Sequence, residues 1–250
     1  MKNIFKKKLF KVNSKVRVYV YIFTIFFTII FLCIIYLSHQ NRILLNTIKY
    51  YYPVVNNSKI ITELDFQNDD SITKFVNNKV SFNNLSYIPS DLESISSTYV
   101  FDSKGNSRLR SEANLALQNM AKDFYNYFGK KIVVVSAYRS YLYQVGIKAG
   151  GCSDIFCAKA GFSEHQTGLA VDLWEASSKE EFLSKQELVT YFNWLKNNAY
   201  KYGFNNSYQK GLEVDGYNIE PWHWRYLGLP LAKKLYDNNQ TFAEYYHSNN

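Results

Sequence analysis

From Val18 to Leu37 the chain runs for 20 residues without a charged side chain, VYVYIFTIFFTIIFLCIIYL. A helix of that length rises about 30 Å, the thickness of the hydrocarbon core of a membrane. Tyr19, Tyr21 and Tyr36 sit near its ends, where aromatic rings suit the interface. Seven basic residues and no acidic one precede it (Lys2, Lys6, Lys7, Lys8, Lys11, Lys15, Arg17). Such a flank stays in the cytoplasm and sends the rest of the chain outside. A cleaved signal peptide would want a shorter apolar core and a small-x-small cleavage site. Ser38-His39-Gln40-Asn41-Arg42 offers none, and Cys33 follows Phe31-Leu32 without the small residue a lipoprotein cleavage site needs. The expectation is an uncleaved single-pass anchor.

The formal charge of +8 invites a nucleic-acid reading, but most of it lies in that flank. Without those seven residues, 22 Lys and Arg face 21 Asp and Glu. A nearly neutral body argues against a polyanion-binding surface, so no nucleic-acid partner is expected. The 250 residues divide into a basic tail (1–17), the span (18–37), a stalk (38–75) rich in Asn, Lys, Ser and Ile, and one domain (76–250).

Within the domain, Leu109, Ala113, Ala116, Met120, Phe124 and Tyr127 recur at helical spacing, predicting a helix over 107–128 ended by Gly129. Lys131–Ser136, Gly168–Trp174 and Trp222–Leu227 read as strands. A helix over 184–202 with Gly203 as its stop, and another opening at Pro230, complete the pattern. Strands and helices mix without βαβ alternation, which predicts an α+β fold with a central antiparallel sheet flanked by helices.

Four histidines occur, and two of them stand in dense polar and aromatic contexts: Ser163-Glu164-His165-Gln166-Thr167-Gly168-Leu169-Ala170-Val171-Asp172 and Glu220-Pro221-Trp222-His223-Trp224-Arg225-Tyr226. Two His and one carboxylate match the ligand count of a catalytic zinc site, which keeps a fourth position open for water. His165 and Asp172 would lie about 23 Å apart if extended at ~3.3 Å per residue, so sharing a metal requires a bend, and Gly168 is where a bend costs least. Pro221 lets Glu220 lean beside His223, where a glutamate that is not a ligand can act as general base. Taken singly, each residue also fits a packed core histidine or a turn cap. Cys152 and Cys157 can close a disulfide in an oxidising compartment or bind a second metal.

The chain resembles the VanY-type D-alanyl-D-alanine carboxypeptidases, zinc peptidases of bacterial cell walls related to the VanX dipeptidase. The resemblance rests on Ser136-Ala137-Tyr138-Arg139-Ser140 with Gln144, on Ser163 to Asp172, and on Glu220 to Gly228, and covers roughly residues 76 to 247. It implies a Hedgehog/DD-peptidase-like fold and Zn2+ held by His165, Asp172 and His223, with Glu220 as base. It also implies that Arg139 polarises the scissile carbonyl, and that Ser163 and Gln144 bind the terminal portion of the substrate. The partner so implied is the peptidoglycan stem peptide, met outside a bacterial cell membrane. An L,D-carboxypeptidase acting on tetrapeptide stems and an inactive wall-binding module are the alternatives. The paired cysteines depart from the family pattern.

Overall fold

The structure is a computed structural model that describes residues 14–51 and 64–249. Most of the basic tail and the middle of the expected stalk lie outside the described residues. The chain forms two compact units that divide between Ser58 and Lys59. The first carries one helix, α1 (Ser14–Tyr51), in which Tyr19–Arg42 is long and apolar enough to cross a membrane, with mean hydropathy 2.7.

The second unit runs β1 (Leu92–Ser94), β2 (Val100–Asp102), β3 (Arg108–Arg110), α2 (Ser111–Phe128), β4 (Ile132–Ser136), α3 (Tyr141–Ala149), β5 (Ala170–Leu173), α4 (Lys179–Ser184), α5 (Gln186–Asn198), β6 (Phe204–Asn206), α6 (Leu212–Asp215), β7 (His223–Tyr226), α7 (Leu229–Asp237) and α8 (Phe242–Ser248). Five strands form one sheet in the order β2-β4-β5-β7-β6, and β1 pairs with β3 apart from it. The sheet is antiparallel as expected, except that β2 and β4 run parallel. A parallel pair needs a crossover, and α2 lies in the connection between them.

One face of the sheet is packed by helices. The predicted first helix starts at Ser111, because Arg108–Arg110 pairs with β1 instead. Ala113, Leu117, Met120, Ala121 and Phe124 form its buried stripe, each large side chain contributing about 1.5–3 kcal/mol by leaving water. Gly129, at φ 66°, stops the helix and donates its N–H to Tyr125 O. Phe124, Trp174 and Tyr191 close this layer, with Trp174 and Tyr191 stacked at 5.1 Å.

The chain between residues 64 and 91 contributes to the same unit, which corrects the expected stalk boundary. Phe66 and Phe75 are buried in a second cluster with Leu231, Leu235 and Phe242 of the last two helices. Arg225 of β7 is fully buried and reaches back to this segment, donating Nη2–H to the carbonyls of Ile72 (3.0 Å) and Lys74 (3.2 Å). Its Nη1–H goes to Thr167 Oγ1 at 2.9 Å. One guanidinium thus ties the entering chain, strand β7 and the turn before β5 together. Burial lowers its pKa to about 10, the Glu164 carboxylate opposing that shift, so it stays charged at neutral pH.

Candidate metal centre

Strand pairing does much of the work of assembling the site. Asp172 on β5 lies directly opposite His223 on β7 and, on its other side, opposite Ser136 on β4. Residues paired in this way project from the same face, so the three side chains form a row across the sheet. His165 arrives from a different direction. It sits in a 3-10 turn, Glu164–Thr167, which ends at Gly168 with φ 67° before the chain enters β5. A Cβ at Gly168 would meet Leu92 Cδ2 at 2.8 Å and Arg110 Cγ at 3.0 Å, so the bend expected there depends on glycine.

Each histidine offers one nitrogen to a common point. His165 Nδ1 lies 2.7 Å from Ala137 O; a carbonyl can only accept, so Nδ1 carries the hydrogen and Nε2 faces Asp172 Oδ2 at 3.2 Å with its lone pair. His223 presents the other nitrogen, with Nδ1 3.0 Å from Asp172 Oδ1. Donor atoms of His165, Asp172 and His223 all lie within 4.8 Å of one another. Tetrahedral ligands on bonds of about 2.1 Å stand about 3.4 Å apart, so this donor set fits a divalent ion of zinc's preferences.

The electrostatics follow from burial and from the charges around the point. Burial and the Arg139 cation lower the pKa of His165 to about 4, with Asp172 opposing, so its ring is neutral. Burial acts to lower His223 as well, but the Asp172 and Glu164 carboxylates outweigh it and raise the pKa to about 9. Asp172 is held well below the usual carboxylate range: the His165 and His223 rings and Arg139 outweigh the burial that would raise it. Arg139 donates Nη2–H to Asp172 Oδ2 at 2.7 Å and Nε–H to Ser136 Oγ at 2.9 Å. In this state it holds the aspartate in place.

These groups line a cleft of about 750 Å³ together with Ser163, Trp174, Tyr208, Tyr217, Trp222 and Glu220. Glu220 closes a turn with His223, whose N–H donates to Glu220 O at 3.2 Å, and Asn206 Nδ2 donates to the same carbonyl at 2.9 Å. Burial raises the Glu220 carboxyl to about 7, with Asp172 adding to the rise while His223 opposes it. Ser163 is buried at the start of the 3-10 turn, but its hydroxyl makes no capping bond. Trp174 leaves β5 at φ 58°, a conformation a bulky residue rarely adopts, and it does so at the cleft wall.

Gln144 is buried on α3, where Nε2 donates to Ala158 O at 2.7 Å and Oε1 has no protein partner among the described residues. Cys152 and Cys157 form a disulfide in that loop, which removes them as ligands of a second metal. Glu164 is not singled out by the sequence. It is 2% exposed, accepts from His223 Nε2 at 2.8 Å, and also accepts from Ser207 Oγ at 2.7 Å. The adjacency of an acid to His165 was the only sequence signal for it.

Comparison with known proteins agrees with this arrangement. Residues 106–229 match the family model described as VanY, D-alanyl-D-alanine carboxypeptidase. The YodJ protein of Bacillus subtilis (strain 168) is 36% identical over 189 residues, covering 72% of this chain and 68% of that protein. The LdcB LD-carboxypeptidase structure is 35% identical with a TM-score of 0.60, covering 72% of this chain and 88% of that one. A mutant of the vancomycin resistance D,D-pentapeptidase VanY, solved in complex with Zn(II), is 28% identical with a TM-score of 0.54 over 71% and 99% of the two chains. The extent of the match to YodJ, the family model and the fold agree: the chain belongs to the VanY family of D-alanyl-D-alanine carboxypeptidases.

Proposed function

We propose that this chain is a membrane-anchored zinc carboxypeptidase that removes the terminal D-alanine from peptidoglycan stem peptides, with the D,D bond as its target. The observation that carries the proposal is the convergence of His165 Nε2, the Asp172 carboxylate and His223 Nδ1 at the floor of a cleft that also holds Glu220. The helix Tyr19–Arg42 would be the anchor, with the domain on the extracytoplasmic side, where peptidoglycan lies.

His165, Asp172 and His223 would hold the ion. Bound zinc supplies Lewis acidity: it lowers the pKa of a water toward ~7 and polarises a carbonyl. The chain's own residues do the rest. Glu220, on the same turn as His223, takes a proton from the attacking water and returns it to the leaving amine. Its burial keeps the carboxyl close to neutrality, where both transfers are accessible. Arg139 has five N–H donors and commits one each to Ser136 and Asp172, so further donors are left to stabilise the oxyanion. Ser163 Oγ, on the cleft wall and not used as a cap, would bind the terminal portion of the substrate, with Gln144 steadying the opposite loop.

An L,D-carboxypeptidase is the second reading, favoured by the higher identity and TM-score to LdcB than to the D,D-pentapeptidase. Incubating the purified chain in detergent with penta- and tetrapeptide stems, and following D-alanine by mass spectrometry, separates the two. Release from the pentapeptide is expected. Release from the tetrapeptide alone would move the assignment to L,D. Stoichiometric zinc without any cleavage would favour a binding module. Glu220→Ala is expected to abolish release while zinc stays bound; retained turnover would refute the assigned base.

A further inference from the structure

His165 and His223 are supported differently. The hydrogen on His165 Nδ1 points to a neutral backbone carbonyl, Ala137 O at 2.7 Å. His223 Nε2 points to a buried carboxylate, Glu164 Oε2 at 2.8 Å, and that same oxygen accepts from Ser207 Oγ at 2.7 Å. Both His223 and Glu164 are 2% exposed, so this charge is placed in the protein interior, where an acid without partners is costly. The residue and its two partners come from three separate parts of the chain. Glu164 opens the 3-10 turn, His223 starts β7, and Ser207 directly follows β6. The residue is also coupled to the buried Arg225 cation.

We infer that Glu164 is the positioning residue of the metal centre: it holds the hydrogen on His223 Nε2 and so commits Nδ1, and not Nε2, to the ion. The inference rests on the zinc reading above. The stem of His223 is fixed by β7, and Tyr208 stacks on one face of its ring at 4.4 Å. Rotation about the ring axis is the freedom that remains, and it would exchange the two edges. Glu164 anchors one edge, so the other faces His165 Nε2 and Asp172. An acceptor carrying full charge makes the ring a stronger donor to the ion as well as a better oriented one.

The test uses the full chain in detergent. Glu164→Gln keeps an acceptor of the same shape, since the amide oxygen can take the place of Oε2 and still accept from His223 Nε2–H and Ser207 Oγ–H, so the change isolates the charge. Zinc affinity is measured by competition with a chromophoric chelator. The tautomer of His223 in the zinc-loaded protein is read from long-range proton–nitrogen correlations, with only four histidines to assign. The expected result is a zinc affinity about 10–100-fold weaker, with loss of a single Nε2–H tautomer at His223 and the His165 signals unmoved. A purely structural role would lower the melting temperature and leave the tautomer alone. If Glu164→Gln fails to fold, Ser207→Ala decides, with a smaller loss of affinity in the same direction expected. Wild-type affinity with an unchanged His223 tautomer overturns this inference alone. Absence of stoichiometric zinc in the wild-type chain overturns the proposed function and this inference with it.

Discussion

Gly168→Ala tests whether the bend between His165 and Asp172 is a structural requirement of the site. Gly168 adopts φ 67°, and moving an L side chain into the left-handed region costs about 1–2 kcal/mol. The new methyl would lie 2.8 Å from Leu92 Cδ2, 3.0 Å from Arg110 Cγ and 3.3 Å from Pro89 Cγ. Leu92 can turn its branch away, but Arg110 is pinned by Asp91 at 2.8 Å and by the Asp70 carbonyl at 2.7 Å. Overpacking of this kind costs about 1–3 kcal/mol, and the stiffer unfolded chain returns about 0.4–1 kcal/mol. The balance is about 1–5 kcal/mol, or about 2–18 °C in melting temperature for a domain of this size. Zinc affinity should fall in parallel, because the turn that carries His165 absorbs the displacement. Calorimetric melts of the zinc-free protein and chelator competition measure the two effects. A variant that melts within 2 °C of wild type and binds zinc equally well would show that the glycine is dispensable and that the bend is held by other contacts.

Four further outcomes are expected. His223, with its pKa raised to about 9, carries a proton at neutral pH that zinc must displace, so affinity should rise roughly tenfold per pH unit between pH 7 and 9 and then level off; a flat profile by competition titration would contradict that protonation. The same shift stabilises the zinc-free fold fully below pH 6.5, and that contribution is lost as pH rises through 9. Arg225→Ala removes a buried donor shared by Ile72, Lys74 and Thr167 and should cost about 3–5 kcal/mol, with proteolysis appearing first in the segment before residue 91; uniform digestion would argue against that local role. Replacing both Cys152 and Cys157 by Ser frees a short loop worth about 2 kcal/mol of chain entropy and should raise KM for the stem peptide with kcat within about twofold, whereas loss of zinc would contradict the disulfide's separation from the metal.

Much of the metal centre was legible because its chemistry is local in sequence. His165, Gly168 and Asp172 announce two candidate ligands and the bend that joins them, and Pro221 sets Glu220 beside His223. The direct pairing of Asp172 with His223 was not legible, since it depends on the register between β5 and β7, strands of four residues each. Strands as short as β2, β3 and β6 have too few residues to show alternation. Glu164 was invisible for a related reason: a glutamate in a polar stretch reads as solvated until folding brings Ser207 and His223 to it. The stretch around Phe66 and Phe75 was read as stalk because its Asn-rich sequence has no period. Its order comes from Arg225, some 150 positions later, which no local pattern can anticipate. The bond from the Gln144 amide nitrogen to the Ala158 carbonyl depends on the path of the loop and has no local signal.

The grip of Arg225 on Ile72 and Lys74 also defines a path for mechanical load. The chain is already packed into the domain at Phe66, upstream of those two residues, and the guanidinium that clasps them sits two positions from His223 on the same short strand. Tension applied along the chain from the N-terminal side would pass the Phe66 packing and then meet β7 at this clasp. The clasp is a set of charge-assisted bonds sheltered from water, so it holds this segment by directed contacts as well as by apolar packing. If the chain is anchored through its N-terminal helix as proposed, load arriving from that side would meet this clasp two positions from His223.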